Sequence, residues 1–267
     1  MSLQYCSRRR RVRLRPLTFS SSLFLFGVGV LAGALNSVAG GGGFLSLPAL
    51  LSAGVTPVIA NATSTFATWP GGLSSAVAYR REIGASRSIL LPLSAVSLAG
   101  GLIGAVILVR TSDSSFLRVL PWLMLLAAVT FTLGEKLTPR GAGFRSEHDA
   151  SVPLWALLGQ FAIAIYGGFF GGGMGMMMLA TMTLAGMTDI HEMNGLKHVL
   201  AAMLNGMALL AFIVNGAIAW QPGFAMMAGS IVGGYAGASI ARLVNRRHVR
   251  LFVVIVAWTI TAYFFLR

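Results

Sequence analysis

"LNSVAGGGGFLSLPALLSAG", Leu35–Gly54, sets four consecutive glycines between an apolar run and a short apolar segment that carries a proline. A glycine inside a helix costs roughly 1 kcal/mol against alanine, so four in a row end a helix rather than continue it. The run before them, Phe19–Val38, is long enough to cross a membrane; the segment after them, Phe44–Ser52, is not. At about 1.5 Å per residue it reaches roughly half-way across a hydrocarbon core about 30 Å thick. The stretch therefore reads as helix, break and half-helix.

Composition sets the class. Of 267 residues 56% are hydrophobic and 10% charged, where a soluble domain carries about 25% charged residues. No Lys, Arg, Asp or Glu occurs between Arg15 and Arg80, and further charge-free tracts cover Ser88–Val109, Val119–Gly134, Ala150–Thr188 and His198–Ala241. This is the pattern of a polytopic membrane protein. The net charge of +13 would suggest nucleic acid in a soluble chain, but the basic residues sit at the ends and in short loops between apolar tracts, where they act as orientation signals. No nucleic-acid partner is expected. The one cysteine, Cys6, lies in the polar N-terminal arm and forms no internal disulfide.

Six arginines fall within Ser7–Arg15, ahead of the apolar run. They resemble a signal-peptide n-region, yet the apolar run passes directly into the glycines with no small-residue cleavage site followed by a polar start. A retained cytoplasmic arm is expected.

Beyond the first run, spans are expected near Ile59–Tyr79, Ser88–Val109, Phe116–Gly134, Pro153–Phe170, Gly195–Asn215, Gly223–Ala241 and Arg250–Phe265. A second short segment, Met174–Leu184, follows a second glycine cluster. The halves also repeat: "AGVT" at Ala53–Thr56 returns as "AGMT" at Ala185–Thr188, "GGLIGA" from Gly100 returns as "GGYAGA" from Gly233, and "NATST" from Asn61 takes the place of "NGLKH" from Asn194. Matches in one order at nearly one spacing favour a duplicated unit of four spans and a half-helix. The expected organisation is a basic arm (1–16), a first transmembrane repeat (17–134), a polar linker (135–152) and a second repeat (153–267). The fold class is all-α, with about eight transmembrane helices in two repeats, each holding a glycine-rich broken or re-entrant half-helix. Thirteen Lys/Arg on the arm side against six on the other favour an N-terminus inside.

Glycines at 27, 29, 33, 100, 101, 104, 233, 234 and 237 read as helix-packing positions. Gly40, Gly41, Gly42 and Gly43, and Gly171, Gly172 and Gly173 with Gly175, differ because each cluster adjoins a segment too short to span. Non-helical backbone at membrane depth is tolerated only inside protein or beside water, and a broken helix turns its positive N-terminal end on whatever fills the break. Paired breaks in two repeats point to an anion site.

The sole lysine within a predicted span is Lys197. A lysine there either snorkels to the interface or faces a cavity; His198 beside it is either a packing or a titrating group. Asn194, Lys197 and His198 share a side of the helix, with Asn205 two turns further on. The corresponding polar set is Asn61, Thr63, Ser64 and Thr65, with Asn36 just before the first glycines. Hydroxyls and amides hold oxyanion oxygens while the lysine supplies countercharge. Asp189, His191 and Glu192 form a polar connection that matches no metal-site spacing; no metal, cofactor or catalytic motif is expected, and the chain reads as no enzyme.

"LNSVAGGGGFLSLPALLSAGVTPVIANATSTFATWPGG", "YGGFFGGGMGMMMLA", "MNGLKHVLAAMLNGMALLAFIVNGAIAW" and "GGYAGASIARLVNRR" together resemble the TauE/SafE sulfite exporter family, also called the toluene sulfonate uptake permease family. The resemblance implies a multi-span permease of the bacterial inner membrane that moves small sulfur oxyanions or organic anions. Its first motif falls on Asn36, Gly40–Gly43, Pro48, Asn61, Ala62 and Thr63, and its second on Gly171–Gly173, Asn194, Leu196, Lys197 and Asn205. The second half has Ala180 near the place of Pro48, and Lys197 and His198 in place of hydroxyls. The function expected is secondary transport, by efflux, of sulfite, an organosulfonate or a related anion. A passive anion channel and a membrane assembly protein are the alternatives. The partners expected are a small anionic substrate, a coupled proton or sodium ion and the lipid bilayer, with a homodimer left open.

Overall fold

The computed structural model describes residues 18–78, 87–133, 152–187, 190–240 and 246–266. Among these the chain forms ten helices and no strand. They are α1 (Phe19–Ala39), α2 (Gly43–Ser52), α3 (Pro57–Ala78), α4 (Arg87–Arg110), α5 (Asp113–Leu133), α6 (Leu154–Phe169), α7 (Met174–Leu184), α8 (Ile190–Val214), α9 (Trp220–Ile240) and α10 (Arg246–Leu266). The basic arm and all but the last residue of the polar linker lie outside the described residues.

Apolar side chains dominate all faces of most helices, and large ones stay exposed outside the bundle, among them Leu23, Phe24, Ile107 and Trp122. That surface suits lipid and not water. Four helices, α1, α4, α5 and α8, are long and apolar enough to cross a membrane; the chain is an all-helical, multi-pass membrane protein. The other long helices depart from that standard for local reasons. α3 and α9, at 22 and 21 residues, have the length, but glycine and hydroxyl residues dilute their apolar character. α6 is 16 residues long, about 24 Å.

The breaks fall where the glycines are. Gly40 takes φ +74° at the end of α1, its N–H returning to Asn36 O, and Gly171 takes φ +83° after α6. This left-handed geometry favours glycine and closes a helix. α2 and α7, of 10 and 11 residues, follow them. Both short helices thus lie on the segments expected. Six of the longer helices, α3, α4, α5, α8, α9 and α10, start earlier than expected, and two of them show a local reason. α3 begins at Pro57 rather than Ile59, since proline suits the first helical position, and Val58 N donates to Asp113 Oδ1 at 3.0 Å. α8 begins at Ile190 rather than Gly195, with Glu192 in its first turn, where an acidic side chain is favourable.

α1 lies along α9 and α4 along α6, the two most extensive contacts; α3 packs on α9 and α8, α8 on α4, and α5 on α10. The chief contacts come in matched sets, α1–α9 with α6–α4 and α3–α9 with α8–α4. Glycine sets the closeness in both. A Cβ at Gly33 would stand 2.2 Å from Ser230 O and one at Gly233 1.9 Å from Val30 O, while across the other pair Gly104 would meet Ile165 O at 2.1 Å and Gly168 would meet Gly101 O at 2.2 Å. Gly27 departs from the expected packing role, with no atom within 4 Å of its Cβ position. Buried Gln160 of α6 donates to Ser97 of α4 at 2.8 Å, a polar tie of the kind that joins helices in lipid.

Candidate functional site

The two breaks meet backbone to backbone. A Cβ on Gly40 would lie 3.8 Å from Gly175 Cα, and one on Gly43 3.5 Å from Gly172 Cα. The contact is reciprocal: the start of each break touches the residues that open the other half-helix. A Cβ at either place would be in ordinary van der Waals contact with the other break. Neighbours hold both breaks from behind. Tyr166 Oη lies 2.7 Å from Gly172 O and 3.1 Å from Leu123 O. Asn61 Nδ2 donates to Phe169 O at 2.9 Å, satisfying a carbonyl at the end of α6. Phe131 of α5 packs beneath Gly41 and stands edge-on to Phe44 at 6.0 Å.

Beside the breaks is a cavity of about 60 Å³, room for roughly four waters or a small anion at about 15 Å³ per water centre. α3 contributes Ser64, Thr65, Thr68, Trp69 and Gly72, and α8 contributes Lys197, His198, Ala201, Ala202 and Asn205. Each member of the first set stands 133 positions before its counterpart in the second. Asn36, Gly40 and Gly43 close one side and Phe170, Gly171, Met174 and Gly175 the other. The two helices give the same face in the same register, and the side chains on that face differ.

Lys197 is 5% exposed and His198 7%. Lys197 Nζ donates to Asn194 Oδ1 at 3.0 Å, one turn back; among the described residues no carboxylate comes within ion-pair distance of it. The stem of Lys197 passes over Gly175, whose Cβ position lies 3.4 Å from Cδ. A buried ammonium with one neutral partner is costly without an anion. The N–H groups of Gly43, Met174 and Gly175, in the first turns of α2 and α7, have no acceptor among the described residues, and such groups carry the positive end of the helix dipole.

The hydroxyls behave differently. Thr65 Oγ1 donates to Asn61 O at 3.3 Å and Thr68 Oγ1 to Ser64 O at 2.9 Å. Ser46 donates to Gly42 O at 3.1 Å, so the bond between Ser46 and Ser64 takes its proton from Ser64. These protons are committed within the protein. The amides of Asn36 and Asn205 line the cavity with no protein partner among the described residues.

Of the residues singled out in the sequence, Asn36, Gly40, Gly43, Ser64, Thr65, Gly171, Gly175, Lys197, His198 and Asn205 line this cavity. Gly41 and Gly42 instead pack against Phe131 and the Ala32 carbonyl, Gly173 against Ala127, and Gly172 against Phe170. Asn61 holds Phe169 O, and Thr63 Oγ1 accepts from Ala219 N at 3.0 Å, tying α3 to the start of α9. Asn194 reaches the cavity only through Lys197. Asp189 and the His191 side chain lie outside the described residues. Thr68, Trp69 and Gly72 were not singled out; extending the match of "NATST" to "NGLKH" one further turn in register would have found them.

The sequence model of the family described as "Sulfite exporter TauE/SafE" matches residues 25–264. A Haemophilus influenzae protein named "Probable membrane transporter protein" is 32% identical over 240 residues, covering 89% of this chain and 92% of its own length. Escherichia coli K12 has a "Probable membrane transporter protein YfcA" that is 31% identical over 239 residues, 89% of this chain and 87% of that one. Bacillus subtilis "Probable membrane transporter protein YunE" is 25% identical over 257 residues, 88% and 94% of the two chains. No solved structure gave a significant match.

Proposed function

The chain belongs to the sulfite exporter TauE/SafE family, a family of membrane transporters and not of enzymes, and we propose that it exports a small anion by alternating access around the cavity between its two breaks. The observation that carries this reading is Lys197, buried in the cavity with Asn194 as its hydrogen-bond partner and no carboxylate in reach among the described residues. The unclaimed first-turn N–H groups of α2 and α7 add positive potential at the same place. An anion completes this set; a cation would be repelled by it. The size of the cavity suits sulfite, a short organosulfonate or a small carboxylate.

The transport frame we propose is a duplicated unit, α1–α5 and α6–α10, with eight crossings and α2 and α7 as re-entrant half-helices. Matched helix contacts support it, as does the shared register of α3 and α8 around the cavity. In a bacterial inner membrane the basic arm would face the cytoplasm. A coupled proton or sodium ion would drive efflux.

Proteoliposomes loaded with sulfite, thiosulfate, methanesulfonate or acetate test the proposal. Saturating efflux of at least one anion, driven by an ion gradient and lost in Lys197→Met, is the expected result. Flux that neither saturates nor follows a gradient would make the protein a channel. Flux unaffected by Lys197→Met would place the anion elsewhere.

A further inference from the structure

The cavity sets a bulky aromatic side chain against a small one at the same register. Trp69 of α3 and Ala202 of α8 are counterparts, 133 positions apart, and both line the cavity. The indole reaches across to the other helix, where Nε1 donates to Ala202 O at 3.0 Å. Gly206 borders the ring: a Cβ there would be in ordinary contact with it, 3.5 Å from Cζ2. Hydrogen bond and packing fix the ring at two points, and few rotamers satisfy both.

We propose that Trp69 sets the size limit of the transported anion, admitting a compact oxyanion head and excluding anions that carry an aromatic ring. This deepens the anion-site reading and rests on it. The cavity of about 60 Å³ falls well short of the roughly 150 Å³ that an apolar cavity uses to hold benzene. Ala201, Ala202 and Thr68 are small, and Phe170 is tied into the second break, where Gly172 leaves no room beside its ring and Tyr166 stands against it at 5.8 Å. Trp69 is thus a bulky lining side chain whose removal enlarges the cavity without dismantling a break. A hydrocarbon ring on the anion would need the volume that the indole fills; a sulfite or methanesulfonate would not.

The test is thermal stabilisation of purified wild type, Trp69→Ala and Trp69→Phe by sulfite, methanesulfonate and benzenesulfonate. Wild type is expected to respond to the two compact anions and not to benzenesulfonate at the same concentrations. Trp69→Ala should gain a benzenesulfonate response, with affinity for the compact anions kept within about tenfold. Trp69→Phe, with a smaller ring and no N–H, gives an intermediate gain and decides the matter should the alanine variant not fold. Wild type responding equally to benzenesulfonate overturns the proposal, as do variants with an unchanged size profile; in both cases the anion site stands. Failure of every anion to stabilise any of the three proteins overturns the anion site and the size limit with it.

Discussion

Lys197 donates to Asn194 Oδ1 across one turn of α8, at 3.0 Å, so the cavity's ammonium comes with its own positioning arm. Asn194 thereby bears on the cavity without lining it. Replacing it with alanine leaves the charge in place and frees its direction. The expected outcome is anion binding weakened by about tenfold, the worth of one hydrogen bond to a charged group, with the fold intact. Ligand-induced thermal shifts of Asn194→Ala beside wild type measure it.

Threonines 65 and 68 give their protons to carbonyls of their own helix. Thr65→Val and Thr68→Val should therefore shift anion affinity by less than about threefold. A loss as large as that of Asn194→Ala would mean that the hydroxyls turn to the ligand when it binds.

Close helix contacts make sharper stability predictions. Alanine at Gly33 would bring Cβ to 2.2 Å from Ser230 O, and at Gly104 to 2.1 Å from Ile165 O. Each should destabilise by about 1–3 kcal/mol, the usual effect of overpacking. Gly27→Ala has open space and should hold or raise the thermal midpoint, since alanine is the better helix former. Unfolding midpoints in one detergent compare the three directly.

Asn61→Ala removes the donor that satisfies Phe169 O at the end of α6. A loss of about 1 kcal/mol in stability is expected, with weaker anion binding because the second break loses its tether. Tyr166→Phe, which releases Gly172 O, should act in the same direction.

Much of the architecture was legible because its signals are strong ones. Charge-free tracts locate the long helices, and glycine clusters beside segments of about ten residues locate the breaks; α7 keeps its expected bounds at Met174 and Leu184. Helix starts at Pro57 and Ile190 were less legible, since they depend on which donors find partners, as Val58 does with Asp113. Within the candidate site, sequence shows which residues are polar but not where their protons go. Asn61 and Thr63 belong to the motif yet serve neighbouring backbone, and Ser64 gives its proton to Ser46, 18 positions earlier in the chain. Trp69 carries neither a charge nor a break to single it out, and an aromatic on an apolar helix ordinarily reads as packing. Only its register with Ala202 and its bond across to α8 mark it out.

The central claim is that a small anion sits against Lys197 between the two breaks. Thermal stabilisation of purified wild type and Lys197→Met by a panel of small anions tests this most directly, because a ligand that binds the folded state raises its stability by mass action. The account predicts a saturable rise with at least one anion in wild type, and none in a Lys197→Met protein that remains folded. Equal stabilisation of both proteins would contradict it.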